Sequence, residues 1–461
     1  MNKNVLYRLY AAVFVGVCLV PSALMPVFRN SSNKEKRTLA SFPKAKTEDG
    51  SLNFDYFSQF EDWFSDHMAL RQQLVTADGR LRSALFCTSA NSDVIVGSDG
   101  WLYYGKTVDD FLRINTLSER GVNNICHNID LISRYCSDNG AEFIFTVAPN
   151  KNSVYSEHMP FNYVPSDNRS NYERLAEKLS GSTWFCDMKQ KLVETTSSIP
   201  LYHKTDTHWN NLGAYVGHVS LMDMLGRESC PAGNGWYTRN DRLGDLAAML
   251  YPAEEAKDTN VYNDYEYTYN YQGRFKALDD ITIKTVCAGG EGELLMFRDS
   301  YGEAILPYMA ECFASAEFSR AVPYRLTDVK GKTVIIEIVE RNLGNLQKYA
   351  PLMNAPEADI SGIKPTAGTR EGVVIKAEKN GMLTHICGVL PDSYFSSDSA
   401  VIYVTVGGKT YEAFNCFDDG VFSEGSSDNG FSMYISSEEE ISPDDITVTA
   451  VSSNGSAVRT E

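Results

Sequence analysis

The stretch Glu293-Leu294-Leu295-Met296-Phe297-Arg298-Asp299-Ser300-Tyr301-Gly302 decides the fold of this chain. Its first five residues are typical of a short buried strand, and the residues from Tyr301 to Phe313 have helical spacing. A strand that runs directly into a helix predicts a β-α unit, with Ser300 at the turn between them. In α/β folds this turn lies at the carboxyl edge of the sheet, where active sites form.

The same alternation of strand and helix continues on both sides of this stretch. The predicted buried strands are Glu142–Val147, Trp184–Cys186 and Val334–Val339, and the predicted helices are 118–137, Asn171–Leu179 and 211–225. Strands with helices between them predict an α/β fold with a mainly parallel sheet. Upstream, Val94 to Tyr104 predicts a β-hairpin with Asp99-Gly100 at its turn.

Two regions depart from this alternation. Residues of about 228–280 hold many tyrosines and are predicted to form an insertion over the sheet. From about residue 356 to 461, short apolar runs alternate with turns rich in Gly, Ser, Asp and Asn, which predicts a separate β-sandwich. The predicted division is an N-terminal segment at 1–30, an α/β domain at 31–355 and a β-sandwich domain at 356–461.

The N-terminal segment contains twenty uncharged residues, from Leu9 to Phe28. As a helix this run would be about 30 Å long, the thickness of a bilayer core. It is longer than the apolar core of a signal peptide, and Pro21-Ser22-Ala23 is a poor cleavage site. We favour an uncleaved membrane anchor, with a cleaved signal peptide as the alternative. Either way the remainder is predicted to be exported, with the polar and basic residues from 29 to about 50 as a tether.

The composition argues against several other classes of protein. The 461 residues carry 42 Lys and Arg against 60 Asp and Glu, a net charge of −18, which argues against nucleic-acid binding. The ten cysteines form no C-x-x-C pair, which argues against a zinc or iron–sulfur cluster. Nine of them lie outside the apolar run, so at least one thiol is expected to stay free or to pair between chains. No cofactor is predicted.

Among the seven histidines, His208 alone lies in a sequence that suggests catalysis. In an extended loop, residues i and i+2 point the same way, so Asp206 and His208 are expected to face one pocket. A carboxylate beside an imidazole fixes its tautomer and stabilises the imidazolium, which a general base needs. The alternative is a loop carboxylate that caps the helix at 211.

Ser300 is the matching candidate nucleophile, because amides at the start of the following helix can stabilise an oxyanion. The alternative is that Asp299 or Ser300 only caps that helix. Together, Ser300, His208 and Asp206 supply a nucleophile, a base and an orienting acid within one predicted domain. A competing hypothesis takes His203, Asp206 and His208 as metal ligands. It is disfavoured because no further His or Cys cluster completes such a site.

Several short segments, in order along residues 34–345, resemble the DHHW group of exported proteins, which is related to the SGNH-hydrolase-like proteins of alginate O-acetylation. The segments are Lys36–Pro43, Phe60-Glu61, Asp66-His67, Gly100–Tyr104, Pro149-Asn150-Lys151, Val154-Tyr155, Thr205–Trp209, Gly244-Asp245-Leu246, Arg298–Tyr301 and Glu340–Leu343. The resemblance implies an SGNH-hydrolase-like α/β domain of three layers.

The resemblance also implies roles for the candidate residues. Ser300 is the acyl-accepting nucleophile, His208 its base, and Asp206 the residue that orients His208. Ordinary SGNH hydrolases place the serine first in the chain. The order Asp, His, Ser is therefore expected to reflect a circularly permuted arrangement of the motifs.

One residue departs from the pattern of the family. Arg298 stands where a Gly-Asp-Ser motif has glycine, and it is expected to crowd or alter the oxyanion pocket. The residues expected to support the sheet edge or to contact substrate are Lys151, Tyr155, Arg298, Tyr301 and Arg341. Of these, the resemblance places Lys151, Tyr155 and Arg341 at family positions.

The resemblance implies transfer of acetyl groups onto a cell-surface or extracellular polysaccharide, with a membrane-bound O-acyltransferase supplying the acetyl groups. The Tyr-rich stretch suits stacking on sugar rings, although its tyrosines are also typical of surface strands. Two other functions stay open. They are a carbohydrate acetyl esterase that uses the same triad and a non-catalytic cell-wall binding protein. The expected location is the cell envelope, either anchored by the N-terminal segment or secreted.

Overall fold

The computed structural model describes residues 3–25, 39–255, 257–422, 424–437 and 440–461. The first part of the predicted tether, up to residue 38, lies outside the described residues. The beginning of the segment Lys36–Pro43 lies outside them as well.

In the described part of the chain, all of the α-helices lie before residue 313. In chain order they are α1 (Lys3–Leu24), α2 (Tyr56–His67), α3 (Arg71–Phe86), α4 (Val108–Leu112), α5 (Glu119–Asp138), α6 (Lys151–Val154), α7 (Asn171–Leu179), α8 (Met188–Glu194), α9 (Asn211–Met224), α10 (Asp245–Leu250) and α11 (Gly302–Cys312). The predicted helices at 118–137, 171–179 and 211–225 are therefore present within one residue at each end.

Nineteen strands form four sheets in the described part of the chain. Those up to residue 339 are β1 (Val94–Val96), β2 (Leu102–Tyr104), β3 (Glu142–Ala148), β4 (Phe185–Cys186), β5 (Trp236–Leu243), β6 (Lys257–Asn263), β7 (Asn270–Gln272), β8 (Thr282–Val286), β9 (Glu293–Phe297), β10 (Ser315–Ser319) and β11 (Thr333–Val339). The remaining eight are β12 (Thr366–Gly368), β13 (Val374–Asn380), β14 (Leu383–Val389), β15 (Ala400–Val406), β16 (Lys409–Asp418), β17 (Ser427–Ser436), β18 (Thr447–Ser452) and β19 (Ala457–Thr460).

Helix α1 is long and apolar enough to cross a membrane, and 6% of its most apolar stretch is buried against the rest of the protein. A signal sequence near an N-terminus has the same character. Both alternatives for this segment therefore remain predictions.

The central sheet has seven strands in the order β4-β3-β11-β9-β10-β8-β7. The five strands from β4 to β10 run parallel, and β8 and β7 add antiparallel pairs at one edge. The expectation of a mainly parallel sheet is therefore confirmed. Since β9 lies between β11 and β10, the turn after β9 emerges near the middle of the carboxyl edge of this sheet.

Alternate side chains of β11 enter two different cores, which is the reason for the three-layer arrangement. Ile335 and Val339 pack toward α8, α9 and α11 on one face of the sheet. Val334, Ile336 and Ile338 pack toward α5 and α7 on the other face. A strand that is buried on both faces is apolar almost throughout, as the sequence predicted for this segment.

Strands β1 and β2 form the predicted hairpin. Its turn residues Asp99 and Gly100 have φ values of 53° and 81°. A hairpin turn of this type requires two consecutive residues with positive φ, and Asp-Gly is among the sequences that tolerate it best.

The Tyr-rich stretch differs in part from its predicted place over the sheet. Strands β5 and β6 do form a separate antiparallel pair. Strand β7, however, pairs with β8 and extends the central sheet by one strand. It is short and polar, which is typical of an edge strand and hard to recognise from sequence.

The region after residue 360 is β-rich, as predicted. Its eight strands follow the order β12-β19-β18-β15-β16-β17-β14-β13. Strand β16 pairs with β15 through residues 409–413 and with β17 through residues 414–418. A strand that changes partners in this way forms the corner of two packed sheets. The sheet of β15 and β18 and the sheet of β14 and β17 both contribute to one hydrophobic core. The domain boundary at 355/356 remains a prediction.

One side chain of α5 fastens this region to the α/β part. Beyond residue 413, β16 no longer pairs with β15. There the side-chain amide of Asn128 pairs with the backbone of β16, as a neighbouring strand would. Its Nδ2 donates to the carbonyl of Asn415 over 2.8 Å, and its Oδ1 accepts the Asn415 amide over 2.9 Å. All of these groups are buried, so Asn128 satisfies backbone atoms that β15 no longer reaches.

Replacement of Asn128 by Ala should therefore destabilise the protein. It leaves a buried donor and a buried acceptor of Asn415 unpaired, and we expect the free energy of unfolding to fall by about 2–4 kcal/mol. Urea unfolding followed by circular dichroism measures the change. Ser137→Ala, an exposed position on the same helix, is the control and should leave the midpoint unchanged. Equal midpoints for the two variants would contradict this role of Asn128.

Candidate active site

The structure brings Ser300, His208 and Asp206 into one hydrogen-bonded chain. Ser300 follows β9, and its Oγ lies 2.9 Å from Nε2 of His208. Nδ1 of His208 lies 2.7 Å from Oδ1 of Asp206. An ionised carboxylate only accepts hydrogen bonds, so the proton of the neutral imidazole lies on Nδ1 and Nε2 faces the serine hydroxyl as an acceptor.

Tyr301 holds the two loops of this site together. Its hydroxyl donates to the carbonyl of Thr207 over 2.9 Å, and its own carbonyl accepts Nε1–H of Trp209 over 3.0 Å. The ring centroid of Tyr301 lies 4.9 Å from that of His208. The residues on both sides of His208 are therefore fixed to the residue that follows Ser300. All of these contacts are buried or nearly so.

Asp206 is a buried carboxylate with several donors. It accepts the backbone amide and Nδ1–H of His208 at Oδ1, and Nε–H and Nη2–H of Arg242 at Oδ2 over 3.0 and 2.8 Å. The Asp245 amide adds a longer bond of 3.3 Å. Burial alone would raise the pKa of Asp206, but the hydrogen bond and electrostatic attraction of His208 and the charge of Arg242 outweigh it. The pKa therefore lies well below its ordinary value, and Asp206 is ionised.

Lys151, at the start of α6, supports this loop from beneath. Its Nζ donates to the carbonyls of His203, Lys204 and Asp206 over 3.1, 3.0 and 2.6 Å. These three bonds use all the donors of an ammonium group. Burial lowers the pKa of Lys151 to about 7, against the opposing charge of nearby carboxylates such as Asp206. Lys151 therefore supports the loop that carries the histidine.

Tyr155 also supports that loop. Its hydroxyl accepts the amide of Leu201 over 2.8 Å, and its carbonyl accepts the hydroxyl of Tyr103. The ring of Trp101 stacks on Tyr155 with a centroid distance of 4.7 Å. Trp101 and Tyr103 belong to the hairpin of β1 and β2, so this hairpin acts as a buttress for the loop before His208.

The turn that carries Ser300 is fixed by two carboxyl groups. Glu337 of β11 accepts the Asp299 amide over 3.1 Å. Asp299 in turn accepts the amides of Tyr301 and Val339 over 2.9 and 2.7 Å. Burial, and then the charge of Asp299, raise the pKa of Glu337 well above its ordinary value. With the Asp299 and Tyr301 amides occupied, the Ser300 amide is the candidate oxyanion donor of this turn.

The side chain of Arg298 is buried away from the pocket that Ser300 lines. It donates to the carbonyls of Asp299 and Leu278 and lines a separate cavity of about 170 Å³ that Glu337 also lines. The lining residues of the Ser300 pocket do not include Arg298, so the expected crowding is not seen there. The alternative, that Arg298 alters the oxyanion pocket, stays a prediction. The strand directs this side chain inward, beneath the turn.

Arg341 lies behind Tyr301. Its guanidinium carbon is 5.6 Å from the ring centroids of both Tyr301 and Tyr104. It therefore packs against the residue that joins the two loops. Like Lys151 and Tyr155, it is positioned to support the sheet edge.

The candidate pocket beside Ser300 has a volume of about 270 Å³. Its lining includes Ser300, His208 and Arg242 together with a set of aromatic and amide side chains. The latter are Asn260, Tyr262, Asn263, Tyr265, Tyr267 and Tyr308. Most of them come from the Tyr-rich stretch, so part of that stretch does lie next to Ser300.

The structure does not group His203 with Asp206 and His208, as the metal hypothesis requires. Among the described residues, the closely spaced potential ligands are Asp206, His208 and Asp245, and His203 is not one of them. His203 instead contacts the Thr259 carbonyl through Nδ1, and its pKa is lowered by burial. Since Arg242 occupies Oδ2 of Asp206, this cluster is arranged as an ion pair.

Sequence reasoning missed Arg242 and Glu337. Arg242 lies 36 residues after Asp206 on β5, and its neighbours Gly244-Asp245-Leu246 were the only signal nearby. Glu337 interrupts an otherwise apolar strand. A charged residue at the centre of such a strand is a usable signal, because it requires a buried partner.

Residues 94–281 match the family model of the SGNH hydrolase-like domain of acetyltransferase AlgX. The resemblance inferred from the sequence is therefore confirmed. The matched range contains Asp206, His208 and Arg242, and Ser300 follows it. No curated protein matches the chain.

Solved structures also resemble this chain. A DHHW family protein from Eubacterium siraeum is 18% identical, with 56% of this chain and 94% of that one covered and a TM-score of 0.42. PatB1 of Bacillus cereus is 17% identical, with 55% and 97% covered and a TM-score of 0.43. The O-acetyltransferase domain of Pseudomonas putida AlgJ is 15% identical, with 60% and 96% covered and a TM-score of 0.36.

The role of Lys151 leads to a stability prediction. Lys151→Met keeps the length of the side chain but removes three donors from buried carbonyls. We expect a fall of about 2–4 kcal/mol in the free energy of unfolding, because unpaired buried carbonyls are costly. Urea unfolding measures it, with Lys191→Met, an exposed lysine on α8, as the matched control. A Lys151→Met protein as stable as the control would show that the ammonium does not hold this loop.

Proposed function

We propose that this protein is an exported O-acetyltransferase that acts on a cell-surface or extracellular polysaccharide through an acetyl-Ser300 intermediate. The observation that carries the proposal is the continuous hydrogen-bonded chain from Asp206 through His208 to Ser300, beside a pocket lined with tyrosines. The match of residues 94–281 to the acetyltransferase domain model supports the same chemistry.

In the first half of the reaction, Ser300 accepts the acetyl group. Nε2 of His208 removes the proton of the hydroxyl as Oγ forms a bond to the acetyl carbonyl carbon. The Ser300 amide donates to the developing oxyanion, and ionised Asp206 stabilises the imidazolium. The bond from the carbonyl carbon to the donor then breaks, and the leaving atom takes the proton from His208.

In the second half, a sugar hydroxyl takes the place of the donor. His208 accepts its proton as the sugar oxygen attacks the acetyl-Ser300 carbonyl. The bond to Oγ breaks, and Oγ recovers the proton from His208. The aromatic side chains of the pocket offer faces on which a pyranose ring packs well, with Asn260 and Asn263 as hydrogen-bonding groups for its hydroxyls.

Carbohydrate acetyl esterase activity is the second candidate, because the same hydrogen-bonded chain activates water as readily as a sugar hydroxyl. The two functions differ only in the acceptor. Exclusion of water from the acetyl-enzyme by a bound sugar would favour transfer.

The proposal includes a location and partners. The N-terminal apolar segment anchors the protein to the membrane, and the α/β domain acts outside it. A membrane-bound O-acyltransferase supplies the acetyl groups, and the polysaccharide is the acceptor. The order Asp206, His208, Ser300 along the chain is taken as a circular permutation of the SGNH arrangement.

The triad can be tested with a simple ester. Ser300→Ala and His208→Ala should each lower the hydrolysis of p-nitrophenyl acetate by about a thousandfold or more, because neither half-reaction proceeds without the nucleophile or its base. Asp206→Asn should retain about ten times more activity than Ser300→Ala, because Asp206 orients and stabilises without reacting. Ser220→Ala, a buried serine on α9, is the control. Full activity in folded Ser300→Ala would exclude the acetyl-serine route.

The acceptor can be tested by competition between sugar and water. With p-nitrophenyl acetate as donor, added neutral oligosaccharides should gain 42-dalton acetyl groups, about one per transfer, while free acetate decreases. Mass spectrometry of the sugars and an acetate assay follow both products. Acetate release that no sugar affects would favour the esterase, and a folded wild-type protein with neither product would favour a binding protein.

A further inference from the structure

Helices α2 and α3 carry large apolar side chains on the surface. We call residues 54–86 the N-terminal arm. Phe54 and Phe57 are 92% and 82% exposed, and Phe86 is 67% exposed. The exposed apolar residues repeat at helical spacing in both helices. They include Phe57 and Phe60 in α2 and Leu74, Leu81 and Leu85 in α3. Several large apolar side chains exposed on two successive helices are typical of an interaction site.

The arm is mounted rigidly on the α/β part through the other face of α3. The hydroxyl of Thr76 accepts the Ala253 amide over 2.9 Å, and Tyr251 bonds to Ser83 over the same distance. A Cβ on Gly79 would lie 2.8 Å from the Leu250 carbonyl, so the helix approaches this segment as closely as glycine allows. The apolar face is therefore held outward.

The arm is also ordered by its own aromatic contacts. The ring of Phe42 meets Trp63 edge-on at a centroid distance of 4.9 Å, and Trp63 stacks on His67 at 5.2 Å. Asp66 accepts the Ala40 amide over 2.7 Å. The chain that arrives from the N-terminal segment is thus fastened to α2 at Ala40 and Phe42.

The position of the arm along the chain places it close in sequence to the candidate membrane helix α1. Helix α1 ends at Leu24, and Phe42 follows 18 residues later. A chain of this length spans at most about 60 Å. If α1 crosses the membrane, the connecting chain keeps the arm within about 60 Å of the bilayer surface, so contact with lipid is within reach. Tryptophan and phenylalanine on one helix face suit the interfacial region of a bilayer.

We propose that the N-terminal arm rests on the membrane, with its aromatic face inserted into the lipid interface on the exported side. The inference rests on the anchor included in the proposed function. Glu61 and Asp62 are exposed on α2, so apolar burial and not attraction to anionic headgroups drives the contact. The arm would hold the Ser300 pocket at a fixed height above the bilayer, beside the source of any membrane-delivered acetyl group.

The test uses the full chain in nanodiscs of phosphatidylcholine, with or without bromine on the acyl chains near the headgroups. Bromine quenches tryptophan only at short range. We expect loss of emission in the brominated discs, and we expect most of that loss to disappear in Trp63→Phe. Trp101 and Trp209 are buried and should not respond.

Matched variants separate the arm from other exposed aromatics. Phe54→Ser with Phe57→Ser should reduce the quenching of Trp63, whereas Phe161→Ser, which is 95% exposed outside the arm, should not. All three positions are at the surface, so folding is unaffected. If Trp63 were quenched equally in the wild-type protein, in Phe54→Ser with Phe57→Ser and in Phe161→Ser, the inference would be overturned.

Three other outcomes also count against it. Embedded protein with unquenched Trp63 would overturn the contact of the arm with lipid, and self-association lost in Phe54→Ser with Phe57→Ser would assign the face to a second copy. Protein that does not co-purify with the discs would overturn the anchor and the inference together. Because quenching requires no acetyl chemistry, these outcomes are independent of whether Ser300 and His208 are catalytic.

Discussion

The candidate site depends on the contact between two loops that lie about 90 residues apart in the chain. Tyr301 makes this contact, because its hydroxyl binds the Thr207 carbonyl and its carbonyl binds Trp209. A hydrogen bond of 2.9 Å between His208 and Ser300 requires both loops to keep a fixed position. Tyr301 is itself buried in the core, and through these two hydrogen bonds it holds the loop of His208 at the edge of the sheet.

The charges of the site form a second constraint. Asp206 is ionised in a buried position, which is favourable only because His208 and Arg242 bind its two oxygens. Lys151 is buried beneath the same loop and donates to carbonyls instead of forming an ion pair. One cation therefore neutralises the acid, and the other fixes the backbone that carries it. This division leaves Nε2 of His208 free to accept the serine proton.

Sequence patterns predicted the parts of the structure that depend on local periodicity. The apolar run of β9, the serine after it and the Asp-x-His loop were sufficient to identify the central sheet and the three candidate residues. Sequence patterns did not predict β7 or the change of partners in β16. Both features depend on which other strand lies beside them in the folded protein, and local periodicity does not carry that information. Arg242 was missed for the same reason: its partner Asp206 is distant in sequence.

The place of Arg298 shows how a departure from a family motif can be accommodated. A glycine before Asp-Ser leaves room at the turn, but here Arg298 directs its side chain into a cavity beneath it, where Glu337 also lies. The need for a small residue is met four positions later. A Cβ on Gly302 would lie 2.6 Å from the Cβ of Arg298 and 3.0 Å from Oε2 of Glu337. The arginine therefore occupies the space under the turn, and Gly302 provides the clearance that lets α11 begin directly after Ser300.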